Sequence, residues 1–209
     1  MTNPTINLDC KRPAVFLDRD GTVTKYVGYV TNPSQIQLID GAADCIGRLR
    51  DAGFVCVLVT NQSAIGRGML TLAELETIHS ELHRQLREQG AKLDAVYIAP
   101  QKPSQSDETV IEHPDRKPGP GMLQQAAVDL YLDLSQSWMV GDRVSDVLAG
   151  INAGCRSIRV RTGFTYVDGP PDLNCEYETV DSLREATDSI LDDVLHADAD
   201  SIARSVGTS

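Results

Sequence analysis

Asp18 and Asp20 stand one residue apart at the end of the apolar run Ala14-Val15-Phe16-Leu17, and Gly21-Thr22 follows at once. The run reads as a buried parallel strand, so both acids emerge at its carboxyl end, where open α/β sheets bind ligands. Residues i and i+2 of a strand share one side, which aims both carboxylates at one site. Gly21 lets the chain turn sharply away. Such a pair suits a carboxylate nucleophile, a general acid/base beside it and a hard cation bound to both. The bland alternative for this pair alone is a surface turn with two solvated acids.

Three further segments follow in order. Phe54 to Val59 is a second apolar run, ending in Thr60-Asn61-Gln62-Ser63. Arg116-Lys117-Pro118 sets two cations just before a helix start, and Trp138-Met139-Val140-Gly141 delivers Asp142, Arg143 and Asp146. A nucleophile, a hydroxyl, a lysine and a distal acid pair in this order resemble the haloacid dehalogenase superfamily of phosphohydrolases.

The resemblance implies a division of labour. Asp18 attacks phosphorus and forms an aspartyl-phosphate, while Asp20 protonates the leaving oxygen and then activates water. Thr60 and Lys117 neutralise the transferring phosphoryl group. Mg²⁺ is the implied cofactor, held by Asp18, Asp142 and the backbone carbonyl of Asp20, with Asp146 orienting metal-bound water from one helical turn further on. An acid at Asp146 also suits a helix N-terminus by itself.

Finer similarity, over residues 12 to 165, points to the branch of this family that dephosphorylates heptose bisphosphates, serving surface-polysaccharide or lipopolysaccharide precursor synthesis, or histidinol phosphate. It implies that Tyr26, Val27, Gly28 and Tyr29 form a substrate loop. Asn61, Gln62 and Ser63 would contact phosphate and sugar, and Arg116 would help select the substrate. Arg143 stands where the heptose enzymes usually carry Lys, and its planar fork would bind phosphate differently. The branch commonly holds a structural zinc in the loop before Arg116. Here the matching positions are Ala99, Gln101, His113 and Asp115, a poor zinc set, so no structural zinc is expected and packing and hydrogen bonds must hold the loop. His79 and His83, four residues apart on a helix, lack a third ligand and read as solvated or partly packed.

The elements that must position these groups alternate as a doubly wound fold requires. Helices are expected over Gly41–Gly53, from the Thr71–Glu74 capping box to Gly90, over Pro120–Leu130 and over Val144–Gly154, with strands at Leu93–Ala99 and Arg156–Arg161. The fold class is therefore α/β, with a mostly parallel Rossmann-like sheet. The gaps between motifs are too short for a large cap domain. Pro100 to Pro120 is a long irregular stretch, of the kind that is functional or disordered.

The 209 residues suffice for one α/β core. An N-terminal extension over residues 1–12, a phosphatase domain over 13–196 and a flexible polar tail over 197–209 are expected. The net charge is −11, but eleven acids and two arginines fall after residue 167, leaving −2 for the body. No basic stripe suggests nucleic acid, no apolar run is long enough for a membrane span, and Met1 to Lys11 lacks a signal-peptide core. Cys10, Cys45, Cys56, Cys155 and Cys175 are scattered and odd in number, as for free thiols in a reducing cytoplasm. The expected partner is a small phosphorylated sugar or metabolite, with the chain a monomer. The contrasting reading, a retired scaffold acting through its acidic segment, gives no reason to keep Asp18, Asp20, Thr60, Lys117 and Asp142 together.

Overall fold

The computed structural model describes residues 11–163, 173 and 175–206, with 197–206 described as backbone alone. Cys10 and most of the expected N-terminal extension lie outside these residues, as do 207–209. Six strands form one parallel sheet: β1 (Ala14–Leu17), β2 (Val55–Asn61), β3 (Ala95–Ala99), β4 (Trp138–Gly141), β5 (Arg156–Val160) and β6 (Glu178–Val180). Their order is β3-β2-β1-β4-β5-β6, and β1 is central with Phe16 beside Val57 on one side and Met139 on the other. This is the doubly wound α/β fold expected from the sequence.

Burial explains why the central strands read as continuous apolar runs. All four residues of β1 are fully buried, because helices cover both faces. Val15 and Leu17 pack in one layer with α1 (Ala42–Asp51), α3 (Leu72–Glu88) and α6 (Leu183–Val206). Ala14 and Phe16 pack in the other with α4 (Gly121–Asp129) and α5 (Val144–Ala153). Between β2 and α3 lies the single turn α2 (Ser63–Gly66).

The expected helices appear with their ends trimmed by at most two residues. At α3 the Thr71 hydroxyl accepts from the Glu74 N–H at 3.2 Å, and the Glu74 carboxylate accepts from the Thr71 N–H at 2.8 Å. This reciprocal cap starts the helix, and Leu75, Ile78, Leu82 and Leu86 bury its apolar stripe. Residues 100 to 120 contain no helix or strand. They and the segment between β1 and α1 form the rim above the sheet, and neither contains a cap domain.

The C-terminal elements were not marked in the sequence. β6 has three residues, none fully buried, and α6 is acidic. Leu183, Ala186 and Ile190 nevertheless fix α6 on the core. Asp181, Asp188 and Asp193 face Arg161, Arg48 and Arg156 at 2.5–2.6 Å. These exposed pairs each contribute at most about 1 kcal/mol, but they show where part of the acidic excess points. The α6 backbone is helical through Val206, so the expected tail begins as helix. Cys45, Cys56 and Cys155 are buried free thiols, whereas Cys175 is half-exposed.

Candidate active site

The strand order changes direction between β1 and β4, and a crevice opens at the carboxyl ends of such neighbours. Asp18 follows β1 and Asp142 follows β4. The Asp18 N–H donates to the Val140 carbonyl at 3.0 Å, which ties the two strand ends together. Gly21 adopts φ +89°, and a Cβ there would lie 2.7 Å from Asp142 Oδ2. The turn after Asp20 thus packs against Asp142 and admits no side chain.

Lys117 stands at the centre. Its ammonium donates to Asp18 Oδ1 at 2.5 Å and to the Val59 carbonyl at 2.8 Å, and it pairs with Asp146 Oδ1 at 2.7 Å. All three protons are therefore directed. Asn61 braces it from behind: its amide donates to the Lys117 carbonyl and accepts from the Lys117 N–H, both at 3.0 Å. Burial alone would lower the Lys117 ammonium, but Asp146 and Asp18 hold it above its ordinary range. Burial pushes the Asp18 carboxyl up to about 6, against the pull of Lys117 and with the help of Asp146.

Asp18, Asp142 and Asp146 are all buried, and each places an oxygen within 4.8 Å of the other two. A hard-oxygen set this close suits Mg²⁺, whose charge offsets the repulsion among the acids. Asp146 is thus closer to the centre than a purely outer role implies. It also accepts from the Arg143 N–H at 2.9 Å, capping α5, so its electrostatic and helix-capping roles coincide.

Asp20 is held by a residue the sequence reading passed over. Arg19 is 1 % exposed. Its Nε and Nη2 donate to the two Asp20 oxygens at 3.0 and 2.7 Å, and Nη2 also donates to Gln62 Oε1 at 3.1 Å. On the remaining side Nη1 meets His79 Nε2 at 3.3 Å. Burial, and then Arg19, push His79 down to about 4, so the ring is a neutral acceptor. His79 is therefore the packed histidine anticipated, with a partner as well; His83 is partly buried without joining it. The available signal was Arg19 itself, since an arginine inside a strand-end motif needs acceptors when buried. Gln62 completes the network by donating to Thr60 Oγ1 at 2.8 Å, which leaves the Thr60 proton for an oxyanion.

Above these groups lies an open cavity of about 380 Å³. Tyr26, Gly28, Tyr29, Ser63 and Arg116 line it as expected, as do Asn61, Gln62 and Arg143. Val27 is exposed and does not line it. Arg67 and Glu108 do line it and were not anticipated. The Arg67 and Arg143 guanidinium groups lie 5.9 and 5.7 Å from the Tyr29 and Tyr26 rings. At the positions matching the zinc ligands, the Gln101 amide meets His113 Nε2 at 3.3 Å, and His113 Nδ1 accepts from the Asp115 N–H at 3.1 Å. Arg116 adds a bond to the Gln101 carbonyl at 2.8 Å. Hydrogen bonds thus connect those positions.

Residues 16–154 match the family model described as haloacid dehalogenase-like hydrolase, and residues 115–197 match a related hydrolase model. The chain is 44 % identical over 158 residues to a D-glycero-D-manno-heptose-1,7-bisphosphate 7-phosphatase of Thermosynechococcus vestitus, covering 73 % of this chain and 81 % of the relative. It is 42 % identical over 154 residues to the corresponding Escherichia coli K12 enzyme, covering 72 % and 80 %. Among solved structures, a D,D-heptose 1,7-bisphosphate phosphatase from B. bronchiseptica, complexed with magnesium and phosphate, superposes with TM-score 0.74 at 31 % identity. It covers 87 % of this chain and 99 % of that one.

Proposed function

The chain belongs to the haloacid dehalogenase-like hydrolase family, and on that premise we propose that its pocket hydrolyses a phosphomonoester through an aspartyl-phosphate on Asp18. The observation that carries this reading is the Lys117 ammonium, fully buried and gripping the nucleophile on one side and Asp146 on the other. It pre-positions a cation where phosphoryl charge arrives, the condition under which electrostatic stabilisation is strongest.

A substrate phosphate enters between Asp18, Thr60 and Lys117. A carboxylate oxygen of Asp18 bonds to phosphorus as the ester P–O bond breaks, and Asp20 gives its proton to the departing oxygen. Arg19 grips both Asp20 oxygens in the resting site. To act as the acid, Asp20 releases part of that grip and turns its O–H toward the leaving group. Asp20 then removes a proton from water, which attacks the aspartyl-phosphate and yields inorganic phosphate and free Asp18. The side chains of Asp18 and Asp142, the Asp20 carbonyl and Asp146 would hold Mg²⁺, which when bound supplies charge neutralisation to the phosphoryl oxygens.

The substrate class follows from the rim. Arg67, Arg116 and Arg143 surround the cavity beyond the phosphoryl site, a setting for a second anionic group. Together with the names of the relatives, this favours the 7-phosphate of D-glycero-D-manno-heptose 1,7-bisphosphate. The test is phosphate release with Mg²⁺ from both anomers of that compound and from histidinol phosphate, with Asp18→Asn as the blank. Preferential release from a heptose bisphosphate supports the assignment. Equal or greater release from histidinol phosphate removes it and keeps the chemistry.

A further inference from the structure

Three acids of the loop between β3 and α4 line the cavity, and their partners differ. Asp107 accepts from the Thr109 N–H and hydroxyl at 2.9 and 2.7 Å. Glu112 accepts from the Ser104 N–H at 3.0 Å and from its hydroxyl. Both carboxylates fold the loop upon itself. Glu108 instead leaves the loop and accepts from Arg143 Nη1 at 2.5 Å. Arg143 follows β4 and lies over Tyr26, from the segment after β1. Three separate segments thus meet at one guanidinium in the wall of the cavity. The two side chains are 28 % and 26 % exposed, so a ligand can reach the pair.

We propose that Glu108 is a specificity-determining residue, its carboxylate holding the anion seat of Arg143 until a second acidic group of the substrate displaces it. The class selected is a metabolite with two phosphate groups. A phosphate dianion exchanges for the single charge of Glu108 and gives the guanidinium two oxygens to bind. A substrate whose far end is neutral must either leave the pair intact and gain nothing from Arg143, or break it without replacing the anion. Arg143 thereby favours the bisphosphate, while Glu108 competes for the same seat, limits that preference and yields only to a group charged strongly enough to displace it. The inference rests on the phosphatase reading of the pocket.

The test is inhibition of p-nitrophenyl phosphate hydrolysis by fructose 1,6-bisphosphate and by fructose 6-phosphate, with Mg²⁺, in the full chain and its Glu108→Gln and Arg143→Gln variants. The readout is the ratio of the two inhibition constants, from which general changes in turnover cancel. Glu108→Gln should raise the preference for the bisphosphate about three- to tenfold, as expected for freeing one charged partner. Arg143→Gln should bring the two constants together. An unchanged ratio in Glu108→Gln overturns the proposal, as does a reduced one, which would make Glu108 a ligand for a substrate hydroxyl or ammonium. Absence of inhibition by either sugar also overturns it. If neither p-nitrophenyl phosphate nor the heptose bisphosphate is hydrolysed, the phosphatase reading fails, and calorimetric binding of the same two sugars still decides the role of Glu108. Failure of the heptose assignment leaves the ratio readable.

Discussion

Lys117 and Arg143 both line the cavity and both touch a carboxylate oxygen at 2.5 Å, yet their surroundings are opposite. The Lys117 side chain is 2 % exposed and surrounded by Asp18, Asp146 and the Val59 carbonyl. Neither it nor its partners can leave without stranding a buried charge. Arg143 is partly solvated, rests on an aromatic ring and has its Glu108 partner on a loop without regular structure. Water can satisfy either member if the pair opens. Fixed charges suit a reaction whose phosphoryl geometry never varies. Exchangeable ones suit the end of the substrate that must be recognised.

The sharpest way to break that contrast is at the nucleophile. Asp18→Asn should lower kcat by about 10³-fold or more with the fold retained, because the amide cannot supply the attacking oxygen anion. Wild-type turnover in this variant, with circular dichroism unchanged, would refute the mechanism. Lys117→Met leaves Asp18 and Asp146 buried without their shared cation. Chemical denaturation should show a loss of about 3–5 kcal/mol, and kcat should fall about 100-fold. A change confined to KM would contradict its place at the phosphoryl group.

His79 sharpens the buried side of the comparison through pH. Its folded value of about 4 lies below the ordinary 6.5, so the native state favours the neutral ring. The stability this adds is complete above about pH 6.5 and is lost as pH falls toward 4, where the unfolded chain binds the extra proton first. The loss approaches about 3 kcal/mol. His79→Gln, which keeps an acceptor for Arg19, should show a correspondingly flatter pH dependence of unfolding; an identical dependence would place His79 in contact with solvent.

Two smaller effects separate metal from loop. Asp142→Asn should raise the Mg²⁺ concentration for half-maximal activity about tenfold, read from an activity titration. Gln101→Ala removes one hydrogen bond from the rim loop and should cost about 1 kcal/mol or less in stability. Its KM should change a few-fold while kcat holds; a collapse of kcat would mean that the loop positions the reacting groups.

The motifs that carry chemistry were legible because they lie at strand ends, where an apolar run fixes direction and its final polar residues fix the site. Asp18, Thr60 and Asp142 are such residues. Lys117 was legible through its neighbours Arg116 and Pro118. The side-chain partners were not. Asn61, expected at the substrate, braces the Lys117 backbone 56 positions away. His79, read with His83 as solvated or partly packed, meets Arg19 across 60 positions. The β6–α6 unit escaped notice because β6 is too short for a period and the acids of α6 hide the spacing of Leu183, Ala186 and Ile190.

By itself the sequence determined the doubly wound fold, the hydrolase family and the order in which the reacting groups arrive. The fold and the order follow from local rules: apolar runs make buried strands, caps start helices, and short polar motifs follow each strand. The family follows from the resemblance those motifs carry. Tertiary structure alone decided who meets whom. Asp146 became the second partner of Lys117, Arg19 closed on Asp20 and His79, and Glu108 reached Arg143. Contacts of this kind depend on strands being brought side by side and loops folding back over them, distances that no spacing along the chain encodes.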